Sequence, residues 1–401
     1  MAHTCGRGKR GLVGTVHRNV KEWEPTVMKH VLLGTTALVG AGLLAGNAQA
    51  AQGVQLGIGG YYAAAAGLLF SQDNGTGDPG HNTRDIVFRQ DVEIHFKGET
   101  TLDNGLTVGA TIQLEGQQSD DQIDEVWAYF KGGWGELRFG DDDDATEQLH
   151  YLIPSASNIF GVDTPYFEFA NNNNGGSHQT NTTIMDATSD ATKLIYFSPS
   201  FAGFTFAVSF APDSGAQDLY SGFVTANNSS GTTFSNNTGQ IQDVFAAALN
   251  FDHDFAGVNL ATGVGFEEGQ WENTTTGASA DTTWGVDGHL ITSFSGFTIG
   301  TAGRYQENYT SASGPDQWVV GVGATYNWDA WTVGLAWSHG EYDIGSTSST
   351  DKLDVVELTG RYDLGPGISL DAMVGYNNLN SDSGRPDDRT WESGVGFYIG
   401  F

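Results

Sequence analysis

The chain reads as a ribbon of short alternating segments. From Ile86 to Lys97, residues Ile86, Phe88, Val92, Ile94 and Phe96 share one side, and Arg89, Asp91, Glu93, His95 and Lys97 share the other. A period of two predicts a β-strand, because successive side chains point to opposite faces. The pattern is carried also by Val54, Leu56 and Ile58, and by Leu106, Val108, Ala110, Ile112 and Leu114 opposite Gln113 and Glu115. In Asp124–Lys131, Val126, Ala128 and Phe130 oppose Glu125, Trp127, Tyr129 and Lys131. Gly132-Gly133 then turns the chain into Trp134–Gly140, with Leu137 and Phe139 opposite Glu136 and Arg138. A Gly-Gly pair accepts the positive φ of a tight hairpin. Residues 63–83 show no period and read as a loop.

After Gly140 the alternation stops, and no strand signal returns until about Thr192. A segment of roughly 50 residues without period is far longer than ordinary connections, and such loops are functional or disordered. Beyond it come Lys193–Ser198 and Phe204–Phe210, then loop residues 211–240, then strands marked by Phe245, Ala247, Leu249 and Phe251 and by Val258, Leu260, Val264 and Phe266. Further strands are marked by Trp284–Leu290, Phe297–Tyr305, Trp318–Trp328, Trp331–Trp337, Val356–Tyr362, Ile368–Tyr376 and Trp391–Phe401. Ile195 and Phe197 are apolar on the side that elsewhere is polar, which predicts that the long loop covers them.

The tally is about sixteen strands, and connections alternate long and short from the first to the last, the pattern of outer-membrane barrels. The predicted fold is an all-β transmembrane antiparallel barrel with short periplasmic turns, long external loops and an infolded third loop. A sheet in lipid must close, because every unpaired backbone group there costs several kcal/mol. At about sixteen strands the cylinder is too wide for side chains to fill and holds water. Tyr326, Trp328, Trp331, Trp337 and Trp391 at strand ends suit interfacial girdles.

The hairpin Glu125-Val-Trp-Ala-Tyr-Phe-Lys-Gly-Gly-Trp-Gly-Glu-Leu-Arg-Phe-Gly140 resembles the signature hairpin of the Gram-negative general porins. Leu194-Ile-Tyr-Phe-Ser-Pro-Ser-Phe-Ala-Gly-Phe204 resembles that family's next signature. The resemblance implies a water-filled channel for passive diffusion of small hydrophilic solutes, narrowed by loop 141–191. It also implies a homotrimer, outer-membrane lipid and lipopolysaccharide as surroundings, and a C-terminal assembly signal at Phe401. Similar porins carry a basic residue after the glycine, where this chain has Asp141, so no anion preference is inherited.

Residues 28–50 read as a secretory signal peptide for Sec export: Met28, Lys29 and His30, an apolar run Val31–Leu44, and Ala48-Gln49-Ala50 as a small-x-small cleavage site. Residues 1–27 form an irregular basic extension, read as a start codon placed too far upstream, and residues 51–401 form the barrel. Residues 1–50 hold six of the 17 Lys and Arg and two of the 48 Asp and Glu, so the remainder has 11 against 46, a net charge of −35. Phosphate backbones are repelled by such a surface, which excludes nucleic acid as a partner. The one cysteine, Cys5, lies before the cleavage point, so the barrel owes nothing to disulfides.

The candidate constriction combines the loop acids Asp141, Asp142, Asp143, Asp144, Glu147, Asp163 and Glu168 with wall residues. Arg89, Lys97, Lys131 and Arg138 are expected to face the loop, with Glu93, Glu115, Glu125 and Glu136 adding negative charge. Acids in excess predict cation preference. No cofactor is required by this reading, but Asp141–Asp144 offers hard oxygen ligands that suit Ca²⁺. A substrate-selective porin is the nearest alternative. A barrel enzyme is remote: His95, His178 and His289 could supply a base, but no Gly-x-Ser-x-Gly or His-Glu-x-x-His accompanies them. Gly321-Val-Gly323 is a fragment of a glycine-rich pattern inside a strand, with no nucleotide role.

Overall fold

A computed structural model describes residues 53–71, 84–117, 123–163, 166–170, 181–215, 240–272, 279–309, 314–343, 349–382 and 387–401. The basic extension and the signal peptide of residues 1–50 lie outside the described residues, as does His178. Sixteen strands close into one antiparallel barrel. The first five are β1 (Gln55–Ser71), β2 (Ile86–Thr101), β3 (Thr107–Glu115), β4 (Ile123–Gly132) and β5 (Gly135–Asp141). A short helix, α1 (Ala145–Leu149), opens the long loop. Then follow β6 (Thr192–Phe197), β7 (Phe204–Asp213), β8 (Ile241–Asp254), β9 (Val258–Glu272), β10 (Ser279–Phe294) and β11 (Phe297–Glu307). The wall ends with β12 (Gln317–Trp328), β13 (Trp331–Asp343), β14 (Thr350–Gly365), β15 (Ile368–Ser381) and β16 (Asp388–Gly400).

Every strand pairs with its sequence neighbours, and β16 closes on β1 with Tyr61 opposite Gly400 and Ser71 opposite Thr390. At the seam Gly60 N–H donates to Phe401 O and Phe401 N–H to Gly60 O, both at 3.0 Å. No strand edge is then left for lipid to meet. The alternating period sets the faces. Val92 and Phe96 lie on the opposite side of β2 from the buried Asp91, and outward residues such as Leu335, Val395 and Phe266 stay exposed in the isolated chain. Trp328, Trp331, Trp337, Tyr326 and Trp391 are exposed as well, as girdle residues require.

The strand bounds differ from the sequence reading chiefly in β1. Residues 63–71, read as loop, continue the strand to Ser71. Tyr61, Ala63, Ala65 and Leu69 point inward but are buried under Phe160, Phe167 and Phe169, so both faces of β1 are apolar and the period vanishes. β7 and β8 also reach further than expected, to Asp213 and from Ile241.

Candidate functional site

β5 hands the chain to the loop at Asp141, and the loop then follows the inner wall rather than crossing the barrel. Residues of α1 pack on Ala207, Ala246 and Ala248 of β7 and β8, with Phe197 beside them. Ile195 is 1 % exposed and Phe197 is half-buried, as their inward apolar positions predict. His150 reaches Asp287 on β10 at 3.1 Å. Ile153 and Pro154 lie on Gly321 and Gly323 of β12. Ser157 Oγ donates to Asp371 on β15 at 2.7 Å, and Asn158 Nδ2 to Ser369 at 2.9 Å. Ile159 and Phe169 reach β16 and β1. The return limb runs back along the same wall. Asn181 Nδ2 donates to Ser338 Oγ of β13 at 3.0 Å, Ile184 O accepts from Arg304 of β11 at 2.5 Å, and Ala187 N–H donates to Glu267 of β9 at 3.0 Å. Small inward residues on the wall, glycines above all, make room for this circuit.

The four consecutive aspartates separate into four tasks. Asp141 accepts from Thr192 across the β5–β6 ladder. Asp142 takes Arg138 Nη1 at 3.0 Å and Gln148 Nε2 at 2.9 Å, and its carbonyl accepts from Lys193 Nζ. Asp144 caps α1: its Oδ1 accepts from Thr146 N at 2.7 Å and Glu147 N at 3.1 Å. Capping satisfies amides that the first helical turn leaves without partners. Asp143 faces other acids. Its carboxylate lies within 4.8 Å of those of Glu125 and Asp190, and in a second grouping within 4.8 Å of those of Glu147 and Asp186. Burial, followed by the neighbouring Asp190, Asp186 and Asp142, pushes the Asp143 carboxyl well above its ordinary value. Burial likewise raises Asp144.

The remaining expected residues are distributed as follows. Asp163 holds the two limbs of the loop together, accepting from Ile153 N at 3.0 Å and Thr183 N at 2.7 Å. Glu168 lies half-buried near Glu357 and Glu392 of β14 and β16, apart from the aspartate run. Glu93 and Glu115 face one another in the β2–β3 register, and both are buried. Of the four wall cations expected to oppose the loop acids, only Arg138 does so. Lys97 and Lys131 sit toward the short-turn rim, exposed, at 3.2 Å from Glu99 and 3.6 Å from Glu136. Arg89 is partly buried and makes no ion pair among the described residues. Lys97 and Lys131 lie toward the short-turn ends of β2 and β4, whereas Arg89 lies at the other end of β2, beside the long connection that follows β1.

Three cations that hold the loop were missed. Lys193 is fully buried and donates to Ser189 O at 2.5 Å. Arg304 holds Ile184 O, and Arg361 Nη1 donates to Asn158 Oδ1 at 3.1 Å. Each stands at an inward position of its strand, so parity alone would have nominated them. α1 also had a signal: Asp144-Ala-Thr-Glu147 has the spacing of a capping box.

Residues 34–382 match the family model described as Gram-negative porin. No curated protein sequence matches the chain. Among solved structures, the outer-membrane channel DcaP of Acinetobacter baumannii superposes with a TM-score of 0.58 at 13 % identity, covering 87 % of this chain and 98 % of that one. The trimer form of OmpT, an outer membrane protein of Vibrio cholerae, gives 0.56 at 13 % identity over 86 % of this chain and all of that one. A porin refined at 1.8 Å gives 0.52 at 16 % identity over 86 % of this chain and 100 % of that one. At these identities the structural likeness concerns the fold.

Proposed function

The chain belongs to the Gram-negative porin family, and from that premise we propose that its channel prefers cations. The barrel itself is an outer-membrane pore for passive diffusion: a closed wall with water inside and a loop that narrows it. The reading as a channel rather than an outer-membrane enzyme rests on that family match.

The observation that carries the cation preference is the imbalance of charge on the inner face. Asp91, Asp142, Asp163, Asp287, Asp371 and Glu115 stand on the loop and inner wall against Arg138, Lys193, Arg304 and Arg361, and Asp143 and Asp144, whose carboxyls burial raises, are left out of that balance. Fixed charge of one sign around a narrowing raises the local concentration of the opposite ion and lowers its barrier. A KCl gradient across a planar bilayer holding the purified protein is the direct test. A reversal potential of the sign that potassium sets supports the reading, and one set by chloride rejects it. Solute block in the same recordings separates general diffusion from a selective site. A conductance that a sugar or amino acid reduces in a saturable way would favour the selective porin.

A trimer in outer-membrane lipid and lipopolysaccharide is the assembly we propose, supported by the family and by the exposed apolar belt. Calcium is a second reading, favoured by one geometry: the carboxylates of Asp143, Glu147 and Asp186 within 4.8 Å of one another. Oxygen ligands from loop and helix would there be bound to one hard cation. Titration calorimetry of the folded protein with CaCl₂ tests it. Equal heats from wild type and Asp143→Asn would end it.

A further inference from the structure

We propose that the outward face of β14–β16, at the rim of the long loops, is a docking site for a phosphorylated lipid headgroup, with Arg389 as its anchor. The argument starts from where the cations stand. Among the described residues, the outward positions of the sixteen strands carry two Lys or Arg side chains, Lys352 on β14 and Arg389 on β16. The other Lys and Arg of the strands occupy inward positions. Parity fixes the faces. On β14, Asp351, Leu353 and Val355 are buried while Val356 and Leu358 are exposed, so Lys352 shares the lipid side. On β16, Asp388, Thr390 and Glu392 are buried while Trp391 and Val395 are exposed, so Arg389 shares it too.

Strand geometry sets their height. Arg389 stands twelve residues from Phe401, and Lys352 twelve from Leu364, the exposed apolar residues at the short-turn ends of the same two strands. At about 3.4 Å per residue and a tilt of about 35–45°, twelve residues climb roughly 30 Å. The apolar band of such a barrel is about 25 Å tall, so both cations clear it and stand at the level of headgroups. Below them Trp391 and Tyr376 pack together with ring centroids 4.9 Å apart, as an interfacial girdle does. Val374, Val395 and Leu358 continue the face into the apolar band.

The donors of this face are open to an anion. Arg389 Nε donates to Asn378 Oδ1 at 3.3 Å, which leaves both Nη groups and the Asn378 amide N–H₂ for another acceptor, and Arg389 makes no ion pair among the described residues. The acids beside it are already engaged. Asp354 accepts from Trp337 Nε1 at 3.2 Å and lies 2.9 Å from His339 Nδ1, and Glu341 accepts from Lys352 Nζ at 2.9 Å. Register places Asn378 opposite Arg389 and Asn380 opposite Lys352. The two cations are thus two strands apart and two residues out of step, about 12 Å between Cα atoms at the usual strand spacing. A guanidinium matches the oxygens of a phosphate as a fork, and a headgroup with two phosphates can meet both cations. The rest of the rim is different. On β9 and β11, Glu268 and Glu307 flank the outward Trp284, and no outward cation accompanies them among the described residues. One sector therefore attracts phosphate and another repels it.

The site rests on the reading that the barrel sits in outer-membrane lipid, and the test separates the two. Folded protein in neutral detergent is titrated with diphosphoryl lipid A and, separately, with the same lipid stripped of its phosphates, and bound lipid is counted by native mass spectrometry. Wild type is expected to prefer the phosphorylated lipid, and about 0.5 M KCl to weaken that lipid alone. A cation at an anionic lipid surface changes affinity roughly fivefold. Arg389→Gln is therefore expected to weaken the phosphorylated lipid about fivefold, and Arg389→Gln with Lys352→Gln up to about thirtyfold, with the stripped lipid unaffected. Lys97→Gln makes the same change of charge on the inner face and is expected to bind as wild type does. Equal wild-type affinity for the two lipids overturns the phosphate site and leaves the lipid seat standing, whereas affinity for neither overturns both. A loss in Lys97→Gln equal to that in Arg389→Gln also overturns it, because net charge and not this face would then be acting. Inorganic phosphate in about tenfold excess is expected to displace no lipid, and full displacement would assign the cations to a free anion instead. The comparison of the two lipids uses wild type, so it stands even if a variant fails to fold.

Discussion

Gly323 of β12 offers a direct way to move the loop without touching a charge. A Cβ added there would stand 2.9 Å from Ile153 Cγ2 and closer still to Pro154 O, where ordinary contact begins at 3.4 Å. The loop must back off by more than 0.5 Å, and because one obstacle is a backbone carbonyl, no rotamer change relieves it. Overpacking of this kind costs about 1–3 kcal/mol. The wall has hydrogen-bonded neighbours on both sides at this level, Gly300 and Ala336, so the loop gives way first. Gly323→Ala is therefore expected to fold into a barrel, to lower the thermal midpoint modestly and to change the single-channel conductance. The control is Gly360→Ala on β14, where a new Cβ would meet only Thr332 O at 4.0 Å, and both readouts should match wild type. If Gly323→Ala shows the conductance and midpoint of wild type, the loop does not rest on β12 as described.

Three further outcomes follow from the geometry. Arg138→Gln leaves the buried Asp142 without its charged partner at 3.0 Å, and a broken buried pair costs about 3–5 kcal/mol; chemical denaturation of the folded protein reads this as a lower midpoint. Asp144→Ala removes the cap of α1 at a cost of about 0.5–2 kcal/mol, and loop protection in hydrogen exchange should fall while that of β10–β16 stays. Val395→Arg places a charge on an outward position that is 62 % exposed, which costs about 2–4 kcal/mol near the middle of a bilayer. Folding yield into vesicles should drop, and an unchanged yield would mean that this face does not meet lipid.

The wall was legible in the sequence because a two-residue period reports a contrast between two solvents. Where lipid lies outside and water or charge inside, as at Ile86–Lys97, every position could be assigned to its face. The period fails where the loop covers the wall. Tyr61, Ala63 and Ala65 face inward as surely as Glu93 does, but they meet Phe167 and Phe169 instead of water, so β1 lost its pattern after Ile58. Ile195 and Phe197 show the same effect, and there the break itself disclosed the covering loop. Gly321-Val-Gly323, which had no reading as a motif, is the bare strip on which Ile153 and Pro154 lie. Asp144 was legible as a cap from Glu147 three residues on, but the tasks of Asp141, Asp142 and Asp143 were not, because their partners Thr192, Lys193, Asp186 and Asp190 lie about 40–50 residues away in the chain.

The seam between Gly60 and Phe401 bears on how such a wall is made. β1 and β16 are the first and last strands of the ribbon, so the pair that closes it joins residues far apart along the chain. Contacts of that kind are slow to form. Until they do, two bare edges stay open to any extended peptide nearby. Cutting within β16 is therefore expected to convert a pore into an aggregate rather than into a narrower pore, which folding yield into vesicles reads.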